Sequence, residues 1–158
     1  MLKEDIVFNE RVENIPNNRY KLPVALRLNY FLDDHYIIRA FYRYYLDNWG
    51  IRGNTAEIEI PVKLTSFVSI SPFYRYSGQK GTRYFAPYGQ HNVDKTYYTS
   101  DYDLSTLTSN FFGAGFRIAP PKGVFGFQNL NVLEIRAGHY LRSTGLTSNI
   151  ITLNLKFK

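Results

Sequence analysis

The sequence predicts an all-β fold: an antiparallel transmembrane β-barrel to which this chain contributes about seven to eight strands. Three observations carry that expectation. Stretch after stretch alternates with period two, and one of the two faces so defined holds no Lys, Arg, Asp or Glu. The alternating stretches run roughly nine to eleven residues, the length of a tilted strand crossing a bilayer. Aromatic residues make up 17% of the 158 residues, yet mean hydropathy is −0.30. Aromatic wealth in a chain that is polar on average suits a barrel with a polar interior better than a dry core.

Each element follows from the same test. "KLPVALRLNYFL" (21–32) sets Leu22, Val24, Leu26, Leu28 and Tyr30 against Lys21, Arg27 and Asn29. "YIIRAFYRYYLDNWG" (36–50) carries Arg39, Arg43 and Asp47 at a spacing of four, which alone would suit a helical face. The β-branched and aromatic residues between them favour a pleated strand. Its faces are then Tyr36, Ile38, Ala40, Tyr42, Tyr44 and Leu46 against Ile37, Arg39, Phe41, Arg43, Tyr45 and Asp47. "TAEIEIPVKL" (55–64) places Ala56, Ile58, Ile60, Val62 and Leu64 opposite Glu57, Glu59 and Lys63. "VSISPFYRY" (68–76) places Val68, Ile70, Pro72, Tyr74 and Tyr76 opposite Ser69, Ser71, Phe73 and Arg75. "FFGAGFRI" (111–118) divides into Phe112, Ala114, Phe116 and Ile118 against Gly113, Gly115 and Arg117, the glycines making room inside a crowded barrel. "LEIRAGHYL" (133–141) divides into Leu133, Ile135, Ala137, His139 and Leu141 against Glu134, Arg136, Gly138 and Tyr140. "NIITLNLKF" (149–157) closes with Ile151, Leu153, Leu155 and Phe157 against Thr152, Asn154 and Lys156. Pro23, Pro61 and Pro72 each remove a ladder donor and predict bulges or strand ends.

The connections set an orientation. Those near 33–35 and at 65–66 read as tight, those at 48–54 and 78–109 as longer. If the last strand ends in the periplasm, the tight turns fall on that side and the long loop falls outside. "APPKGVFGFQN" (119–129) is then a long periplasmic connection. Tyr30 and Tyr36 gather at one end of the apolar face, and Tyr42, Tyr44, Tyr74 and Tyr76 at the other, as aromatic girdles do.

Composition excludes several classes. There is no cysteine, hence no disulfide framework and no thiolate metal site. No run is long and apolar enough for a transmembrane helix, and "MLKEDIVFNE" lacks the apolar centre of a signal peptide. The net charge of +6 is spread through the strands rather than gathered in a block, so nucleic acid is not an expected partner.

Several segments carry a resemblance: "YRYYLDNWGIRGNTAEIEIPVKL", "SPFYRYSGQ", "YFAPYGQH", "YYTSDYDLS", "NFFGAGFRIAPPKGVFG" and the terminal "LNLKFK". From about residue 20 onward the chain resembles the C-terminal half of the domain-of-unknown-function 3570 family of Bacteroidota outer-membrane β-barrel proteins. The resemblance implies a bacterial outer-membrane location, with outer-membrane lipid and other envelope proteins as partners. It also implies relatives that are longer at the N-terminus, so that residues 1–158 form a single barrel domain or the C-terminal portion of one. It supplies no catalytic residues. The ending departs from the usual one, because Phe157 is penultimate and Lys158 follows it.

No catalytic, cofactor-binding or metal residue is expected. His35, His91 and His139 are too scattered for a metal motif, and no nucleophile elbow, phosphate loop or dinucleotide glycine pattern occurs. Asp94, Asp101 and Asp103 in "NVDKTYYTSDYDLST" could offer oxygen ligands to calcium, but their spacing is not that of an EF-hand, and a solvated hairpin accounts for them better. Tyr84, Phe85, Tyr88, Tyr97, Tyr98 and Tyr102 could stack on sugars or meet a partner protein.

The expected lumen lining is Arg27, Arg39, Arg43, Glu57, Glu59, Lys63, Arg75, Arg117, Glu134, Arg136 and Lys156. Basic residues outnumber acidic ones there, which predicts a hydrated lumen or one neutralised by carboxylates from elsewhere. Cross-strand pairing of Arg39 and Arg43 with Glu57 and Glu59 is expected to be partial, leaving a positive field mainly from Arg75, Arg117 and Arg136. Two functions of different class follow. One is a non-enzymatic membrane barrel acting as a pore or as a scaffold in an envelope complex. The other is a soluble all-β binding module that uses the tyrosine-rich loops on carbohydrate or protein.

Overall fold

The computed structural model describes residues 12–92 and 94–158, so the signal-peptide argument about "MLKEDIVFNE" lies outside the described residues. Among the described residues, apart from two short 3-10 turns, all regular structure is strand: β1 (Lys21–Phe31), β2 (Ile37–Asp47), β3 (Arg52–Glu59), β4 (Val62–Lys63), β5 (Val68–Lys80), β6 (Leu107–Ile118), β7 (Leu130–Arg142) and β8 (Thr147–Phe157). They form one antiparallel sheet in the order β1-β2-β3-β5-β6-β7-β8, with β4 also on β5. Local connections and alternating sequence give this meander directly, because each hairpin buries its ladder on its sequence neighbour.

Pro61 falls between β3 and β4, at a strand end as expected, while no bulge forms at any of the three prolines. Glu59 faces Phe73 and Val62 faces Ile70, so the register across Ile60 and Pro61 is unbroken. The Ile60 N–H still donates to the Pro72 carbonyl at 3.0 Å, and Ile37 N–H donates to that of Pro61 at 3.1 Å. Pro61 and Pro72 therefore cost ladder donors without inserting a residue, and β3 and β4 are two stretches of one strand. Pro23 likewise sits opposite Tyr45 in a continuous register. The register shift that does occur lies between Leu130 and Val132, beside no proline. Counting β3 and β4 together, the eight stretches make seven strands.

Two loop boundaries also move. β3 begins at Arg52, so the connection after β2 is the tight 48–51 rather than 48–54. β5 and β6 extend the hairpin past its predicted ends, which shortens the long loop to 81–106.

The register places every predicted face as one continuous surface. Arg27, Phe41, Glu57, Arg75, Phe111 and Tyr140 form one row, and Ile38, Ile60 and Ala137 belong to the opposite side. The charged side is the concave one. Arg136 on β7 reaches Glu59 on β3 at 3.1 Å, although three strand spacings of about 4.8 Å separate them along the sheet. The sheet does not close: β1 pairs only with β2 and β8 only with β7.

Little apolar surface is buried. Among the described residues the buried hydrophobics are Trp49, Ile51, Phe73 and Val124. The convex face is left uncovered, with Leu26, Ile58, Tyr74, Phe112, Ile135 and Leu153 all exposed.

Candidate functional site

The concave side holds a groove of about 650 Å³ lined by Arg27, Arg39, Phe41, Glu57, Glu59, Arg75, Phe111 and Arg136 among others. Period two delivers these residues there, since each strand turns every second side chain inward. Six of the eleven predicted lumen residues thus meet in one place.

Their charges are arranged in a network. Glu59, 7% exposed, accepts from Arg39 on β2 and from Arg136 on β7, each at 3.1 Å and each on a different carboxylate oxygen. Glu57 is paired with Arg75 on the neighbouring strand. Arg27 instead lies over the Phe41 ring, 5.4 Å from its centre, and Arg136 lies over Phe73 at 4.5 Å. Aromatic faces attract guanidinium groups, so these rings share the lining with the carboxylates.

The expected source of the free positive field therefore needs correcting. Arg75 and Arg136 are both ion-paired. Arg43, expected beside the glutamates, donates to the Thr55 hydroxyl at 3.5 Å. Arg117 faces Glu134 in register, outside the groove, while Lys63 and Lys156 lie toward the end of the sheet where the chain terminates.

Alternation alone did not single out the inward aromatics. Phe73 and Phe111 meet at 5.0 Å between ring centres, and Phe111 reaches Tyr140 at 6.5 Å. The glycines of the mixed face explain how. A Cβ on Gly138 would lie 2.6 Å from the Phe111 ring, and one on Gly113 would lie 2.0 Å from the Ala137 carbonyl oxygen. The ring lies over bare backbone, which is how an aromatic covers strand glycine. The signal was present in the sequence as glycines facing aromatics on one side.

The end of the concave side that holds Asp47, Gln79 and Arg142 is covered. Residues 12–20, 48–51 and 81–106 pack on it. Arg19 pairs with Asp47 at 2.7 Å and stacks on Trp49 at 4.4 Å. Thr82 donates to the Trp49 carbonyl at 2.9 Å, and Glu13 accepts from the Thr99 hydroxyl and the Ser100 N–H. The turn Tyr102–Leu104 is held over the inward side by Arg142, which donates to Asp103 and to the Tyr102 carbonyl, and by Gln79.

The predicted loop aromatics divide accordingly. Tyr84 packs edge-on to Trp49, Tyr98 packs against His91, and Phe85 packs on Tyr102. Tyr88, Tyr97 and Tyr102 remain exposed. Asp101 caps the Tyr102–Leu104 turn and Asp103 holds Arg142, while Asp94 is solvated. Among the described residues no three His, Cys, Asp or Glu side chains lie together in a way that could hold a metal.

The convex face has polar edges. Tyr42 donates to Asn54 and Tyr74 to Asn110, both at 2.6 Å, and His139 shares a 2.7 Å hydrogen bond with Asn149. At the other end Tyr30, Tyr36, Phe67 and Phe157 are exposed. Connection 119–129 buries Val124 completely and turns Phe125 and Phe127 outward. Gly123 permits that fold, since at φ 85° a Cβ would strike the Phe127 carbonyl oxygen.

A sequence model of the family described as "Protein of unknown function (DUF3570)" matches residues 1–139. Neither a curated protein nor a solved structure matches the chain.

Proposed function

The chain belongs to the DUF3570 family of proteins of unknown function, and from that premise we propose that it forms wall strands of a bacterial outer-membrane β-barrel of the kind found in Bacteroidota. Its convex face meets lipid and its concave face lines a hydrated, anion-preferring lumen. It is a non-enzymatic porin-like wall, its partners are outer-membrane lipid and other envelope proteins, and no nucleic acid takes part.

The uncovered convex face is the observation that carries this. Soluble monomers seldom leave a contiguous apolar patch beyond a few hundred Å². Here exposed Leu, Ile, Phe and Tyr run across every strand from β1 to β8, bordered by Tyr–Asn pairs on one side and aromatic rings on the other. Lipid satisfies such a face, and its headgroup layer satisfies the amphipathic border.

The covered end favours a second role, a scaffold whose loops 12–20 and 81–106 are read by another envelope protein. The loop is held to the wall by Arg142 and Gln79, and Tyr88 and Tyr97 on the same loop are exposed.

Extraction from membranes tests the location. The protein should stay in the pellet through high salt and alkaline carbonate and leave it only with detergent. Release without detergent would favour the soluble binding module instead.

A further inference from the structure

β1 and β8 are the two open edges of the sheet. Resting on the barrel proposal, we propose that each of these edges is paired by a strand of opposite direction from polypeptide beyond residues 12–158. The inserted strands are odd in number and carry carboxylates on their inward positions beside Arg27 and Lys156.

Direction is the first ground. Successive strands of an antiparallel meander alternate, so the first and the seventh point the same way. β1 runs from Lys21, opposite Asp47, to Phe31, and β8 from Thr147, opposite Leu141, to Phe157, both toward the end at which the chain terminates. A ring closed wholly by antiparallel ladders needs an odd number of strands between two such edges. Together with these seven, that gives the even total usual in bacterial barrels.

Direct closure fits poorly. A β1–β8 seam would be parallel and would leave seven strands, below the smallest bacterial barrels of about eight. Two copies inserted in the same sense would meet through two β1–β8 seams, again parallel, and parallel ladders are slightly weaker.

Charge is the second ground. Within the sheet the inward cations Arg39, Arg136 and Arg75 have carboxylate partners on other strands. The inward positions of β1 hold Lys21, Arg27 and Asn29, and those of β8 hold Thr152, Asn154 and Lys156, with no carboxylate on either strand. A direct seam would place Arg27 and Lys156 on one pair of strands that offers no inward carboxylate. Strands bearing inward Asp or Glu would extend the pattern already built across β2 to β7.

Length is the third. Each edge strand is 11 residues long and fully exposed, a row of unpaired donors and acceptors that proteins seldom leave open.

The test places a photo-crosslinking amino acid singly at Ala25, Asn29, Ile150 or Asn154 of the full-length protein in its own membrane, and sequences the adducts. The expected adducts lie outside residues 12–158, and the position joined to Asn29 precedes the position joined to Ala25 in that segment. Adducts between β1 and β8 of the same or another copy, the reverse order, or no adduct at either edge would overturn the proposal. Arg27→Glu should cut the Asn29 adduct severalfold, and an unchanged yield would remove the carboxylate clause. Carbonate extraction is run alongside. Antiparallel adducts in a protein that washes off would leave the edge pairing standing and remove the membrane barrel.

Discussion

Glu59 sits at 7% exposure with both carboxylate oxygens occupied by guanidinium groups from strands on either side of the groove. Glu59→Gln removes the charge and leaves Arg39 and Arg136 facing one another. Losing a charged hydrogen-bond partner from a buried site costs about 1–3 kcal/mol. Arg39 is half exposed, so solvent screening places this change toward the lower end. The midpoint of urea unfolding in detergent should fall for Glu59→Gln and stay near its original value for Glu134→Gln, which lies outside the groove. Asp33 gives a pH test. The His35 and Tyr36 backbone N–H groups donate to its carboxylate and hold its pKa below the ordinary range. A lowered pKa means the turn is stabilised above the unfolded carboxylate pKa of about 3.9 and loses that support as pH falls through the folded value. Amide exchange at His35 and Tyr36 should therefore be slow at pH 5 and speed up, beyond its intrinsic pH dependence, only on acidification below the usual carboxylate range. Asp33→Ala should abolish that step. The sequence displayed the inward charges and the pairing of Arg39 with a neighbouring glutamate, but not the pair of Glu59 with Arg136, because pairing between β3 and β7 depends on how far the sheet curls. Curl follows from glycine contacts such as Phe111 over Gly138, which alternation does not measure.

At the scale of the strand the two faces should answer a charge differently. Ile60 and Leu153 lie on the convex face, and Thr152 lies beside Leu153 on the concave one. Arginine near the middle of the lipid face of a barrel costs about 2–4 kcal/mol and much less when it faces the lumen. Ile60→Arg and Leu153→Arg should assemble poorly into membranes, while Thr152→Arg should assemble nearly as the parent does. Equal tolerance, scored by heat-modifiable migration in gels, would reverse the assignment of the faces. Gly113→Ala should fail for a separate reason, since its Cβ would overlap the Ala137 carbonyl and part β6 from β7. The faces were legible from sequence because period two is a backbone property and every strand obeys it. The prolines divide: Pro61 ends a stretch, as a missing donor leads one to expect, while Pro23 and Pro72 lie inside strands without a bulge. Pro61 and Pro72 show that a ladder can lose donors and keep its register when the flanking carbonyls still accept. The packing of residues 12–20 and of Thr82 on Trp49 was not legible, since it joins segments about thirty or more positions apart through single contacts.

For the whole molecule the question is what field remains inside. Pairing neutralises Arg39, Arg75 and Arg136 in part, and Arg27 is left over the Phe41 ring at the open side of the groove. Arg43 rests on a threonine hydroxyl rather than on an acid. These two, with Lys63 and Lys156, give the concave side a net positive charge, which a narrow lumen with low-dielectric walls would concentrate. Screening over about 10 Å at 0.1 M salt leaves such a field effective across a groove of this size. The assembled barrel in a planar bilayer should therefore show a reversal potential of the sign for anion preference under a salt gradient. Arg43→Glu exchanges an unpaired cation for an anion without touching the Glu59 pairs, so it should reduce the preference more than Arg117→Glu, whose cation already faces Glu134. Cation selectivity in the parent barrel would contradict the charge assignment. Absence of any conductance, with the protein correctly inserted, would leave the covered end as the dominant feature and the scaffold as its role.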